Sequence, residues 1–173
     1  IIVDFRTKDV LRDNREEGSY PLFYSHHIKN GRVSWPVGRE AEYIVTDRSA
    51  YLQENTDYLF VQRFTSKEEK RRLQCGIYLK NDHSQYKYIS TQNKINYIKC
   101  DAPELAYGLF VILNSSLYDA YYRILNGSTQ VNSTEINCMP VPSKESIRQM
   151  GRELIGMELT ETNCDKIIDR WIR

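Results

Sequence analysis

The chain reads as α+β, with strands first and helices after. Short runs rich in Tyr, Ile, Val and Phe, broken by turn signals, fill residues 20–100. The character changes at Asp101, where a helix start is written. Beyond it, apolar residues recur at three- and four-residue spacing.

The first 19 residues are dense in charge, with Asp13-Asn14 and Gly18-Ser19 as turn signals. Tyr20 to Ile28 is the first β-like run, and Asn30-Gly31 predicts a hairpin turn into Arg32-Val33-Ser34-Trp35. Glu42 to Thr46, Tyr58 to Phe64, Leu73 to Leu79, Tyr86 to Ser90 and Asn96 to Cys100 complete a β-rich lobe over about residues 20–100. Asp101-Ala102-Pro103-Glu104 then offers an N-cap, an early Pro and an acid at N3 for a helix carrying Leu105, Leu109, Ile112 and Leu113. Asn114-Ser115-Ser116 caps a second helix, whose apolar face is expected at Leu117, Ala120, Tyr121 and Ile124 and which ends before Gly127. Glu135 to Val141 is expected to be extended. Pro142-Ser143 leads into a helix with Ile147, Met150, Leu154 and Ile155. Thr162-Asn163-Cys164-Asp165 fits a capping box for a last helix bearing Ile167, Ile168, Trp171 and Ile172, which docks either here or on another part of a longer chain.

With 173 residues the chain is the size of one domain, taken as residues 1–173 with the helical part at 101–173. Aromatic residues make up 12%, and the charge is nearly balanced, which argues against intrinsic disorder. No stretch approaches the roughly 18–20 apolar residues of a membrane span. The net charge of +1 conceals a split: residues 58–99 hold nine Lys+Arg against three Asp+Glu, whereas residues 101–173 hold seven against ten. A basic stretch joined to an acidic remainder suggests one part facing a polyanion and another supporting it.

The chain opens Ile1-Ile2-Val3, with neither an initiator Met nor a signal segment, and is expected to be part of a longer protein. Cys75, Cys100, Cys138 and Cys164 are widely spaced and form no CxxC, which argues against zinc. Three Asn-x-Ser/Thr sequons at Asn114, Asn126 and Asn132 and the even cysteine count are compatible with secretion. The preferred reading is a reducing cytoplasm with free structural thiols.

Much catalytic chemistry is absent. No GxG occurs, so neither a dinucleotide fingerprint nor an S-adenosylmethionine glycine loop is present. Gly151 and Gly156 have P-loop spacing, but Met157-Glu158 stands where Lys-Ser/Thr is required. Asp57 with Glu68-x-Lys70 is a weak echo of a metal-dependent nuclease, without the usual Pro before the Asp. His26 and His27, adjacent on an expected strand, would point to opposite faces and share no metal; one of them could touch a ligand at the strand end. No metal ligand set or catalytic group is therefore assigned.

The positive signal is Arg63-Phe64-Thr65-Ser66-Lys67-Glu68-Glu69-Lys70-Arg71-Arg72, five cations in ten residues. Such cations suit phosphates, and Arg can fork onto guanine. The same run also fits a charged turn neutralised by Glu68 and Glu69, and composition does not separate the two. Lys94, Asn96 and Lys99 add cationic and amide groups in a later β segment. The loop from Asn126 to Thr134 is rich in amides and hydroxyls that could bond nucleic acid or, more plainly, cap their own backbone.

These residues carry a resemblance. Val3-Asp4-Phe5-Arg6, Tyr20-Pro21-Leu22-Phe23-Tyr24 with His27-Ile28, Gly31 with Trp35-Pro36, Val61 to Arg72, Leu113 to Ser116, and Asn126 to Thr134 followed by Pro140-Val141-Pro142-Ser143 occur in this order. Together, over about residues 2–156, they resemble the C-terminal target-recognition part of gamma-class, TaqI-like adenine-specific DNA methyltransferases of bacterial restriction-modification systems. The resemblance implies an N-terminal catalytic domain, absent from this chain, that binds S-adenosylmethionine and carries an Asn/Asp-Pro-Pro-Tyr/Phe motif. This chain has no Pro-Pro pair, so recognition without chemistry is implied here, with double-stranded DNA and that catalytic domain as partners and no membrane. The candidate DNA contacts are Arg63, Lys67, Lys70, Arg71, Arg72, Lys94, Asn96, His27, Lys29, Gln130 and Asn132. Asn93-Lys94-Ile95-Asn96-Tyr97 departs from the His-Leu-Asn stretch common in relatives. The alternatives are half of a type I specificity subunit, a lobe of a fused methyltransferase-endonuclease, and a protein-interaction domain.

Overall fold

The computed structural model describes Val3 and residues 7–172, without the Ile172 side chain; Asp4, Phe5 and Arg6 of the resemblance lie outside the described residues. The strands are β1 (Leu11–Arg12), β2 (Ser19–Phe23), β3 (Ile28–Lys29), β4 (Arg32–Val33), β5 (Tyr43–Val45), β6 (Gln53–Glu54), β7 (Asp57–Gln62), β8 (Cys75–Tyr78), β9 (Tyr88–Thr91) and β10 (Ile95–Cys100). The helices are α1 (Pro103–Asn114), α2 (Ser116–Leu125), α3 (Ser133–Cys138), α4 (Lys144–Leu154) and α5 (Glu161–Ile172). The fold is α+β, as the sequence predicts.

Two five-stranded sheets form, ordered β1-β5-β2-β9-β6 and β10-β7-β8-β4-β3. The centre of the second sheet explains the layering. In β7, residues 57–61 are all buried, and period-two alternation sends them to two different cores. Leu59 and Val61, with Cys75 and Ile77 of β8, face the helices, among Ala106, Phe110 and Met150. Tyr58 and Phe60, with Tyr78, face the opposite way into an aromatic cluster with Phe23 and Ile89 of the first sheet. The second sheet is thus sandwiched between the first sheet and the helices. A third cluster, Leu22, Ile44, Tyr51 and Val3, covers the outer side of the first sheet.

The Asn30-Gly31 hairpin forms, pairing Ile28 with Val33 and Lys29 with Arg32, with both turn residues at positive φ. The long run from Tyr20 does not persist. It breaks after Phe23 into a 3-10 turn, Ser25–His27, because Tyr24 N–H donates to His27 Nδ1 at 2.9 Å and closes the turn locally. Helix α1 starts one residue later than its signal: Ala102 is the N-cap and Pro103 is N1, while Asp101 binds Lys144 and Arg148 at 2.7 Å each, tying the start of α1 to α4. The segment after Asn132 is helix rather than extended chain. Asn132 and Glu135 form a capping box there that a reading for strand overlooks. The last helix begins before its expected box, and Thr160 Oγ1 accepts from Asn163 N–H. Its Ile167 and Ile168 are buried in the helical core, so α5 docks on this chain. The expected apolar face of α2 is inverted: Leu117, Tyr121 and Ile124 are exposed, while Asp119 and Tyr122 are buried.

Candidate nucleic-acid interface

The basic run forms an internal bracket. Asp119 of α2, 5% exposed, accepts from the backbone N–H of Arg72 and of Leu73 at 2.8 and 2.9 Å. Its other oxygen pairs with Arg123 at 3.0 Å. Arg123, which the sequence reading passed over, donates to the carbonyls of Lys67, Glu69 and Lys70 and so holds the loop's backbone on α2. Arg72 is 1% exposed; its Nε donates to Thr65 Oγ1, its Nη2 to Ser128 O, and its guanidinium lies over the Tyr122 ring. Arg71 pairs with Glu161 and donates to the carbonyls of Leu113 and Ser115 at the C-terminal end of α1, where the helix dipole favours a cation. The assignment of Arg71 and Arg72 as DNA contacts is therefore corrected: Arg71 is ion-paired with Glu161, and Arg72 is buried with its guanidinium held by Thr65, Ser128 and the Tyr122 ring, so neither faces a ligand. Lys67 and Lys70 remain exposed on the same loop.

His27 is corrected for a related reason. It is fully buried, its Nδ1 accepts from Tyr24 N–H, and its Nε2 donates to Glu42 Oε1 at 2.7 Å. Glu42 also accepts from the backbone N–H groups of Val37, Gly38 and Arg39. Burial raises the Glu42 pKa, but those hydrogen bonds outweigh it and leave the carboxyl below its ordinary value. Burial lowers the pKa of His27, against the pull of Glu42. His26, stacked on Tyr24, is lowered to about 4 by burial and by its neighbours His27 and Arg39.

The turn brings His26, His27 and Glu42 together, with ligand atoms within 4.8 Å of one another. The expectation that the two imidazoles point to opposite strand faces is thus wrong. The Tyr24 N–H nevertheless requires an unprotonated Nδ1, so neutral His27 carries its proton on Nε2, the nitrogen a metal would need. His27 and Glu42 latch the loop 37–42, while His26 stacks on Tyr24 with its Nε2 buried and unbonded among the described residues.

The remaining candidates divide. Lys29 is exposed on β3, at the opposite edge of the second sheet from β10. Arg63, Asn96 and Asn132 line a groove of about 780 Å³, with Gln53, Gln92 and Asn93 beside them and Tyr97 half-exposed in its wall. Lys94 is exposed on the turn that enters β10. Arg63 sits where three segments meet: its N–H donates to Lys94 O, its carbonyl accepts from Val131 N–H, and its Nη1 donates to Asn93 O at 3.3 Å. With its oxygen turned toward Arg63, the Gln130 amide accepts from Nε at 3.0 Å and from Nη2 at 2.7 Å. The guanidinium also lies 5.9 Å from the centre of the exposed Phe64 ring. Arg63 forms no ion pair with the described residues.

Two groove amides are already engaged. Asn132 caps α3 and bonds Glu135, and Asn96 Nδ2 donates to Val131 O at 2.7 Å. Asn126 and Ser128 bond within their own loop, as a self-capped turn requires. Asn132, a candidate DNA contact, thus stays in the groove wall with its side chain occupied in capping α3. Gln53 and Gln92 went unnoticed in the sequence, and Asn93 stood out only as the start of the stretch that departs from relatives; nothing in their spacing places them beside Arg63. Gln53 Nε2 is buried and has no partner among the described residues.

The resulting surface joins a charge-unpaired, prearranged guanidinium to amides, with exposed lysines nearby, of which Lys70 lies 3.8 Å from Glu161. That is the donor and acceptor chemistry of a polyanion with readable edges. No protein-family model matches the chain. It is 33% identical over 177 residues to the type II methyltransferase M.PstI of Providencia stuartii, an alignment covering 98% of this chain. It is 35% identical over 161 residues to the type II methyltransferase M.BsuBI of Bacillus subtilis, covering 89%. The chain is thus related to restriction-modification methyltransferases. It spans about a third of the length of these curated relatives, 35% and 32% respectively.

Proposed function

We propose that this chain is the sequence-specific DNA-recognition part of an adenine-N6 DNA methyltransferase of a restriction-modification system, working in the bacterial cytoplasm. The supporting observation is the groove beside Arg63, a guanidinium with no carboxylate partner among the described residues, in an amide-rich wall. An enzyme that methylates a base inside a duplex must extrude it, so a second surface has to hold phosphates and read the neighbouring pairs. Lys67, Lys70 and Lys94 are the exposed cations suited to the phosphates. The gamma-class, TaqI-like kinship belongs to this proposal, as does the treatment of residues 1–173 as one recognition unit.

S-adenosylmethionine would supply the methyl group. Among the described residues all strands precede the helices, and no glycine loop joins a strand to a helix. The residues present do not fit that cofactor. The proposal places the methyl donor and the methyl transfer in sequence beyond this third of the relatives' length.

Titrating the full-length protein with duplex DNA at several salt concentrations tests the reading. Wild type should bind with a steep salt dependence, and Lys67→Ala with Lys70→Ala and Lys94→Ala should reduce the log–log slope by about 0.9 for each phosphate no longer neutralised. Binding that ignores salt, or an unchanged slope in the triple variant, would overturn this phosphate assignment. No binding to any duplex at low salt would favour a protein-interaction domain instead.

A further inference from the structure

Resting on the recognition reading above, we propose that Arg63 reads a guanine through its terminal fork and that Gln130 is the residue that positions the fork. A guanidinium has five N–H donors. Three are engaged: Nε–H and one Nη2–H on the Gln130 amide oxygen, and one Nη1–H on Asn93 O. Two remain, one on each terminal nitrogen. That pair matches an acceptor with two adjacent sites, and the O6 and N7 of guanine in the major groove are such an acceptor.

The three engaged donors hold the side chain in place. Backbone bonds to Lys94 and Val131 and the contact with the Phe64 ring restrain it further. Much of the rotamer freedom that a free arginine loses on binding is therefore absent before DNA arrives. Every protein partner of the guanidinium is a neutral carbonyl oxygen or a ring, so the full positive charge is available to the ligand.

A phosphate offers the same two-point acceptor, and location argues against it. Arg63 is half-buried in the wall of the groove, whereas Lys67, Lys70 and Lys94 stand exposed. Duplex phosphates lie at the rim of the DNA groove and are met by protruding cations; base edges lie deeper and need a fixed fork. Gln130 does not touch DNA in this scheme. Its amide oxygen sets the plane in which the fork lies.

The test uses the full-length protein and a library of short duplexes with randomised cores, from which the preferred duplex is selected. Each guanine of that duplex is then replaced in turn by 7-deazaguanine, which keeps the base pair and removes the N7 acceptor. For wild type, replacement at one guanine should weaken binding by at least about 5-fold, within the range of about 5- to 150-fold expected of a bidentate contact. Arg63→Ala should lose affinity for the intact duplex and become indifferent to that replacement. Arg63→Lys, which keeps the charge without the fork, should not restore the discrimination. Gln130→Ala should shrink the penalty at the same guanine and at no other, a readout that a purely structural role would not produce.

If Arg63→Ala weakens every duplex equally and lowers the salt slope while the 7-deazaguanine penalty persists, Arg63 is a phosphate contact and the proposal fails. If wild type prefers no duplex at all, the recognition reading fails as well, which separates the two failures. Should Arg63→Ala not fold, Arg63→Lys and Gln130→Ala carry the same comparison, and an undiminished penalty in both overturns the proposal.

Discussion

Arg71 and Arg72 show how residue type and residue role part company. In sequence they complete a basic cluster; in the fold they hold the loop 65–72 against α2 and α1 through Asp119, Glu161 and backbone carbonyls. A buried charge is kept only where its donors are matched, and breaking such a pair by removing one partner typically costs about 3–5 kcal/mol. Asp119→Ala is expected to lower stability by about that much in chemical denaturation, since it strands Arg123 and two backbone N–H groups at once. Lys67→Ala and Lys70→Ala, at exposed positions, should change it by less than about 0.5 kcal/mol. Equal losses for Asp119 and the two lysines would contradict the bracket. The cations were legible in the sequence, but which were held internally was not: the partners of Arg71 lie 42 to 90 residues away along the chain, and Arg72 reaches Ser128, 56 residues on.

At the scale of elements, α1 and α4 cross unusually closely, and two glycines permit it. A Cβ on Gly108 would come within 1.8 Å of Ile147 O, and one on Gly151 within 1.9 Å of Glu104 O. Neither obstacle is a flexible side-chain tip; both are backbone, so the helices themselves would have to separate. Gly108→Ala and Gly151→Ala should each cost at least about 3 kcal/mol, at or above the upper end of ordinary overpacking, although alanine is the better helix former. Gly18→Ala, where a Cβ would meet nothing but φ is positive, should cost about 1–2 kcal/mol. Thermal melts of the three variants check the order. Gly151 caught the eye in sequence only for a P-loop spacing it does not serve. Helix positions themselves were largely readable, because Pro103, Ser115 and Ser143 are local signals. The orientation of α2 was not. Apolar spacing marks a helical face without saying what it meets, and here the buried Asp119 binds the loop while Leu117 and Ile124 face outward.

Across the whole molecule the three histidines act in one direction. His26, His27 and His83 are each held below the ordinary value, chiefly by burial, His26 at about 4. The unfolded chain takes up these protons near pH 6.5, while the folded chain does not until lower pH. Their contribution to stability is therefore fully present above about pH 6.5 and is lost as pH falls toward the folded values. Glu42, whose folded pKa is lowered, adds a loss in the same direction below its ordinary value of 4.5. The melting temperature should be level between about pH 7 and 8 and decline between 6.5 and 4, and His26→Phe should flatten part of that decline. A melting temperature that rises on acidification would refute the neutral latch.

The sequence by itself determined the α+β order of elements, the Asn30-Gly31 turn, the positions of four of the five α-helices among the described residues and the presence of a basic, amide-rich region. All of these rest on interactions a few residues apart. Only the tertiary structure decided that Arg71, Arg72 and His27 are internal, that Asn132 caps a helix, and that Arg63 stands charge-unpaired beside Gln53, Gln92 and Asn93. Compensation of a charge depends on which distant groups the sheet order and helix crossings bring to it, and a linear pattern carries no record of that proximity.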